Sequence, residues 1–254
     1  GTMARLLARD GMDVLAIDAD PDMNLASALG IDEPPAPLTK YEDLIDERAG
    51  GPAGMFKLNP KVDDVVERFG VVGPDGVRML VMGTVDRGGS GCMCPASSFL
   101  RALLRHVVLK ESSVVIMDME AGIEHLGRGT TRGIDLMIVV VEPGARSLET
   151  AERIKRLGTD IGVERFAAVI NKAGEEDLGA VAARPEAMGI PVLGTITYVR
   201  SLVRAAVAWR PPVCDGGAGI AAGCRGAAAV RGESARKSRW RKRPIRSPQP
   251  ERDR

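Results

Sequence analysis

The stretch Val14-Leu15-Ala16-Ile17-Asp18-Ala19-Asp20-Pro21 decides the fold. Four apolar residues without a polar alternation read as a short strand covered on both faces, and Asp18 and Asp20 emerge at its carboxyl end. Just upstream, Ala4-Arg5-Leu6-Leu7-Ala8-Arg9 predicts a helix stopped by Asp10-Gly11, so a helix feeds this strand. Apolar runs of the same kind follow at 79–82, 114–117, 136–141, 166–170 and 192–196, most of them rich in β-branched residues.

Helical patterns lie between these runs. Leu100, Leu103, Leu104, Val107 and Val108 share one stripe at three-and-four spacing, with Ser97 or Ser98 placed to cap the helix. A second helix is expected over about 147–162, with Leu148, Ala151, Ile154, Leu157 and Ile161 facing inward. Strands alternating with helices predict an α/β fold: a doubly wound, mostly parallel sheet with helices on both faces and ligands bound beyond the carboxyl ends of the strands.

That placement gives the carboxylates a chemistry. Asp18 and Asp20 close one strand and Asp118 closes another, run 114–117. Magnesium takes hard oxygen ligands and keeps several waters, so a carboxylate at such an edge can hold it directly or through water while phosphates fill the other positions. Asp20 is also placed to orient an attacking water. The plainer alternative is that each aspartate caps the next turn. Gly122, four residues after Asp118, offers a backbone N–H that can meet a terminal phosphate without side-chain obstruction, or is an ordinary turn glycine. Asn171-Lys172, directly after run 166–170, fits a base-reading loop, because a carboxamide presents both donor and acceptor to a purine edge; an Asn closing a strand is otherwise a turn former.

Cys92-Met93-Cys94 follows Gly88-Gly89-Ser90-Gly91 and precedes Pro95 and the helix. A turn here converges the two thiols, and the positive end of the helix beginning near Ala96 favours the thiolate that binds metal. A closed thiolate site for zinc takes four ligands, and nickel also accepts four, so two sulfurs from each of two copies are expected to close one site across a homodimer. Two idle cysteines and a redox dithiol are the alternatives, although Cys-x-x-Cys is the more usual spacing for exchange. Cys214 and Cys224 have no such setting. His106 reads as a packed or solvated helix residue, and His125, after Glu124 and near the Asp118 to Gly122 segment, as a candidate behind the phosphate ligands for sensing phosphate or relaying a proton.

The net charge of +1 hides an asymmetry. Residues 214–254 hold eleven Lys/Arg and four Asp/Glu, so the tail is +7 and the body, residues 1–213, is −6. A mildly acidic body lacks a nucleic-acid footprint, and no run of about 20 apolar residues suggests a membrane span. With no secretion signal and few cysteines, a cytoplasmic location is expected. The tail, with Gly- and Ala-rich sequence leading into basic residues and no apolar face, is expected to be disordered and non-native in character, distinct from a body domain over 1–213.

In order and spacing, Leu15-Ala16-Ile17-Asp18-Ala19-Asp20-Pro21, Leu58-Asn59-Pro60-Lys61-Val62-Asp63, Gly88 to Cys94, Met117-Asp118-Met119-Glu120-Ala121-Gly122-Ile123-Glu124-His125-Leu126 and Glu142-Pro143 resemble the CooC-type nickel-insertion accessory ATPases, within the MinD and ParA-like group of P-loop ATPases. The resemblance implies an ATP- and Mg2+-dependent dimer whose paired cysteines bind Ni2+, or Zn2+ in its place. Its client would be carbon monoxide dehydrogenase or another nickel enzyme. It makes Asp20 the residue that positions the hydrolytic water, Asp118 the magnesium-linked acid, Asn171 the adenine reader, and Cys92 and Cys94 the metal ligands.

Two departures qualify it. Members of that family begin with a strand and a glycine-rich loop ending in Gly-Lys-Thr, which this sequence does not contain, so ATP hydrolysis is expected to be impaired and the sheet to lose central contacts. Thr197-Tyr198 stands where the family tends to show Pro-Tyr. A MinD- or ParA-like partner-positioning ATPase and a redox subunit resembling nitrogenase iron protein, bridging an iron–sulfur cluster, are the competing functions.

Overall fold

The computed structural model describes residues 1–51, 57, 59–83, 95–107, 113–121, 134–174 and 178–207. Cys92, Cys94, Gly122, Val108, His125, Cys214, Cys224 and the tail over 214–254 lie outside the described residues.

The chain opens on helix α1 (Thr2–Arg9), which runs into strand β1 (Asp13–Asp18). Gly11, at φ 86°, supplies the left-handed residue that ends the helix, and the Met12 N–H reaches back 3.1 Å to the Leu7 carbonyl. After β1 come α2 (Leu25–Leu29), a 3₁₀ turn (Leu38–Lys40), α3 (Glu42–Ala49) and α4 (Val65–Phe69). A two-residue strand, β2 (Val71–Val72), then turns through Pro74-Asp75-Gly76 into β3 (Arg78–Val81). Helix α5 (Pro95–Val107) leads to β4 (Ser113–Asp118). The remainder is β5 (Met137–Val141), α6 (Ala145–Ile161), β6 (Phe166–Ala173), α7 (Leu178–Ala187), β7 (Val192–Thr197) and α8 (Arg200–Val207).

Strands β2, β3, β1 and β4 form one sheet in that order, with β2–β3 antiparallel and the rest parallel. The parallel strands β5, β6 and β7 form a second. β1 shows why its run is continuously apolar. Leu15 and Ile17 point into a core with Ile45, Phe99, Leu100 and Leu103 from α3 and α5. Val14 and Ala16 point the other way, against Ala4 and Leu7 of α1 and Leu25 and Leu29 of α2. Helices thus cover both faces, and each fully buried Ile or Leu there contributes about 1.5–3 kcal/mol.

The second sheet behaves differently. Phe166, Ala168 and Ile170 of β6 pack with Ala151 of α6 and Val181 of α7 on one face. β7 is only half buried, and Val140, the next-to-last residue of β5, is 62% exposed. The expectation that every apolar run is buried on both faces therefore holds for β1 and most of β6 and fails for β5 and β7. Among the described residues, β5 and β7 each pair with β6 alone. β4 likewise pairs with β1 on one side; among the described residues no strand pairs with its other side, nor with the outer side of β5.

Helix 147–162 of the sequence reading is α6, with Ala151 buried and Leu148, Ile154 and Ile161 packed on the core. The expected serine cap on α5 is not formed. The helix begins at Pro95, so Ser98 falls inside its first turn, and the buried Ser98 hydroxyl donates to the Lys57 carbonyl at 2.6 Å. The strand ending at 170 also runs longer than expected, through Asn171 and Lys172 to Ala173.

Candidate functional site

Asp18 and Asp118 are brought side by side by the parallel pairing of β1 and β4, in which they are direct partners. The ladder continues past them, because the Ala19 N–H donates to the Asp118 carbonyl at 2.9 Å. On the other flank, the Met82 N–H donates to the Asp18 carbonyl at 2.8 Å. The carboxyl ends of β1, β3 and β4 therefore form one edge, where a parallel sheet binds its ligand.

The two carboxylates occupy different environments. Asp18 is fully buried; its oxygens accept N–H groups of Asp20 at 3.2 Å and of Leu25, the first residue of α2, at 3.0 Å. Burial pushes its carboxyl above the usual aspartate range despite those bonds, and the charges of Asp118 and Asp20 push the same way. Asp118 is exposed. Asp20 is half buried and accepts the Asp22 N–H at 2.8 Å, which shapes the turn carrying it off the sheet edge. Asp18 thus organises the turn through which Asp20 is presented, a link that the spacing of the acids alone does not reveal.

A single hard cation such as magnesium needs only one or two protein carboxylates when phosphate oxygens and water complete its shell. Exposed Asp118 and half-buried Asp20 fit that donor chemistry. Among the described residues no group of three or more His, Cys, Asp or Glu side chains could hold an ion by itself.

The second sheet places Asn171 and Lys172 at the carboxyl end of β6. Asn171 pairs with Ile196, and an irregularity follows before Ala173 pairs with Thr197. Lys172 sits in it at φ 58°, a left-handed conformation uncommon for a residue with a side chain. Its ammonium reaches Glu142 Oε1 at 2.7 Å, tying the end of β6 to the end of β5. The Glu142 N–H in turn donates to Ser147 Oγ of α6 at 2.9 Å. Sequence reasoning did not find Glu142 as the partner of Lys172, since the two come together only through β5–β6 pairing. His106 lies half buried in α5, in keeping with a packed helix residue.

A model of the CobQ/CobB/MinD/ParA nucleotide-binding domain matches residues 2–211. The chain belongs to this family. Within the MinD/ParA group, the chain is 44% identical over 209 residues to the carbon monoxide dehydrogenase accessory protein CooC of Rhodospirillum rubrum, covering 78% of this chain and 77% of that protein. It is 43% identical over 216 residues to an uncharacterized ATP-binding protein of Methanocaldococcus jannaschii, covering 83% of each. Among solved structures, the MinD cell division protein of Aquifex aeolicus aligns at a TM-score of 0.65 and 18% identity, over 91% of this chain and 89% of that one. That likeness establishes the MinD/ParA-like fold. No helix among the described residues is long and apolar enough to cross a membrane.

Proposed function

We propose that this protein is an ATP-dependent accessory protein of carbon monoxide dehydrogenase maturation that carries nickel, or zinc in its place, on Cys92 and Cys94 paired across a homodimer. The 44% identity to the Rhodospirillum rubrum accessory protein carries this reading. The geometry supports its nucleotide half: an exposed Asp118 beside a buried, turn-organising Asp18 at a parallel sheet edge.

In this scheme Asp118 holds magnesium and Asp20 orients the water that attacks the terminal phosphate, with the Gly122 N–H as a further donor to that phosphate. Asp18 keeps the β1–α2 turn in place through the Leu25 N–H. Asn171 reads the adenine edge, and Lys172, held by Glu142, closes that side. Magnesium supplies charge neutralisation on the phosphates. Nickel is the cargo: two soft thiolates per copy match its preference, and a two-fold partner completes the set. The likeness to MinD rests on fold alone at 18% identity and does not extend its activity to this chain.

The decisive measurement is metal stoichiometry by mass spectrometry after loading with Ni2+ or Zn2+. One ion per two chains, lost in Cys92→Ser, is expected; no bound ion at that ratio would remove the metallochaperone assignment. Visible absorption after anaerobic iron–sulfur reconstitution, with iron retained, would instead favour a redox subunit.

A further inference from the structure

Residues of the 3₁₀ turn, α3 and α4 line a groove of about 490 Å³ that the proposed function does not use. Tyr41, Leu44 and Phe69 line it, half buried against the first core. The Tyr41 and Phe69 rings lie 4.6 Å apart at a tilt of 56°. A charged network ties the two helices together: Arg48 of α3 binds both oxygens of Asp64, one of them at 2.8 Å, and donates to the Lys61 carbonyl at 3.0 Å. Asp64 also accepts from Arg68 at 3.2 Å, and the Arg68 guanidinium stands 5.1 Å from the centre of the Phe69 ring. The groove is therefore built before any partner arrives.

Its exposed lining is acidic. Glu42, Asp43 and Glu47 contribute to it, and Asp46 stands exposed on the same helix. Glu42 and Asp46, like Asp43 and Glu47, are four residues apart on α3, the spacing at which like charges repel. The helix dipole accounts for Glu42 and Asp43 in the first turn but not for Asp46 and Glu47. Among the described residues none of these four carboxylates forms an ion pair. Of the two cations that line the groove, Arg68 is already paired with Asp64, which leaves Lys40 against three carboxylates. Carboxylates beside aromatic rings suit a cation, and Arg68, held by Asp64 and Phe69, displays that combination within the groove itself.

We propose that this groove docks an arginine-bearing segment of a partner protein, with Glu42, Asp43 and Glu47 receiving its guanidinium groups and Tyr41, Leu44 and Phe69 its apolar parts. Arginine suits the groove better than lysine, because its planar cation bonds carboxylate oxygens in pairs and stacks on aromatic faces. A cationic partner also relieves the repulsion along α3, so charge complementarity favours it over an acidic or a neutral one. None of these residues belongs to the strand-end site, and the inference stands apart from the nucleotide and metal readings.

The test is a nuclear magnetic resonance titration of the full, isotope-labelled chain with the capped peptide Ala-Arg-Leu-Arg-Ala, with the same peptide carrying citrulline for arginine, and with spermidine. The arginine peptide is expected to shift amide signals of the 3₁₀ turn, α3 and α4, and to bind more weakly as salt rises. Joint replacement Glu42→Gln and Glu47→Gln, at exposed positions that leave the core untouched, should weaken it about 5-fold, and Phe69→Leu about 3-fold. Parent affinity in the double variant, equal binding of the citrulline peptide, or shifts confined to other elements overturns the proposal. Equal binding of spermidine overturns it in favour of a small-cation site. Sedimentation showing a dimer that the double variant dissociates overturns it in favour of a second copy as the occupant.

Discussion

Asp18 and Asp118 are direct partners across β1 and β4, yet Asp18 is fully buried with its oxygens on two backbone N–H groups while Asp118 stands exposed. Chemically identical residues at matching strand ends therefore sit in opposite surroundings, one building the turn from inside and the other open to solvent at the sheet edge.

Substitution should separate the two. In Asp18→Asn the amide can accept only one of the two N–H groups and sets its own donor against the other, so a loss of about 1–3 kcal/mol in unfolding free energy is expected. Asp118→Asn should leave stability within about 0.5 kcal/mol and abolish magnesium-dependent ATP turnover in a version of the protein extended by a strand and Gly-Lys-Thr loop. Urea denaturation and phosphate release measure these outcomes, and equal stability losses in both variants would refute the division.

The ion cluster beneath α1 sets an acid limit. Asp75 accepts from buried Arg5 at 2.7 Å and pairs with Arg9 at 3.0 Å. Burial pushes Asp75 up, but the bonds from Arg9 and Arg5 outweigh it and hold the carboxyl below its ordinary 3.8. A depressed folded pKa contributes stability above the unfolded value and loses it as pH falls through the folded one. Asp75→Asn, which tolerates the left-handed backbone at this position (φ 60°), should therefore cost stability at pH 7, and the difference should shrink as acid protonates the native Asp75 carboxyl. Asp18 runs oppositely: its raised pKa favours the fold in acid, and that contribution fades as pH rises through the folded value. Denaturation midpoints across pH check both signs.

Gly158 in α6 lies against Phe166 of β6, where an added Cβ would stand 2.7 Å from two ring carbons. Alanine gains about 1 kcal/mol of helix propensity over glycine, but overpacking a filled core costs about 1–3 kcal/mol. Gly158→Ala should be destabilising on balance, and a raised melting temperature would contradict the packing.

Lys172 offers a dissociation of stability from binding. Its left-handed backbone is strained by about 1–2 kcal/mol, and its pair with Glu142 is exposed on both sides and contributes no more than about 1 kcal/mol. Lys172→Gly should keep stability within about 1 kcal/mol of the parent while weakening ATP binding, read by a fluorescent ATP analogue. Unchanged affinity would remove Lys172 from the site.

The six apolar runs and the helices at 95–107 and 145–161 were legible from residue order, because strand burial and helix amphipathicity write themselves into local periodicity. β2 was not legible: two residues carry no period, and the hairpin depends on Asp75 adopting φ 60° in the turn. Asn171 read as a strand terminus because the bulge at Lys172 is a property of the β6–β7 pairing. Arg5 read as an ordinary helix residue, and its burial follows only once Asp75 arrives from 70 residues away.

From the amino-acid order alone came the alternation of strands and helices, the positions of the acids at strand ends and the thiol pair, since each depends on neighbours along the chain. Tertiary structure alone decided which aspartate is buried and which faces outward, that Lys172 meets Glu142, and that Ser98 binds Lys57 in place of its own helix end. Those outcomes are set by strand register and helix packing between distant segments, where the free energy of satisfying a buried polar group depends on partners that local sequence cannot name.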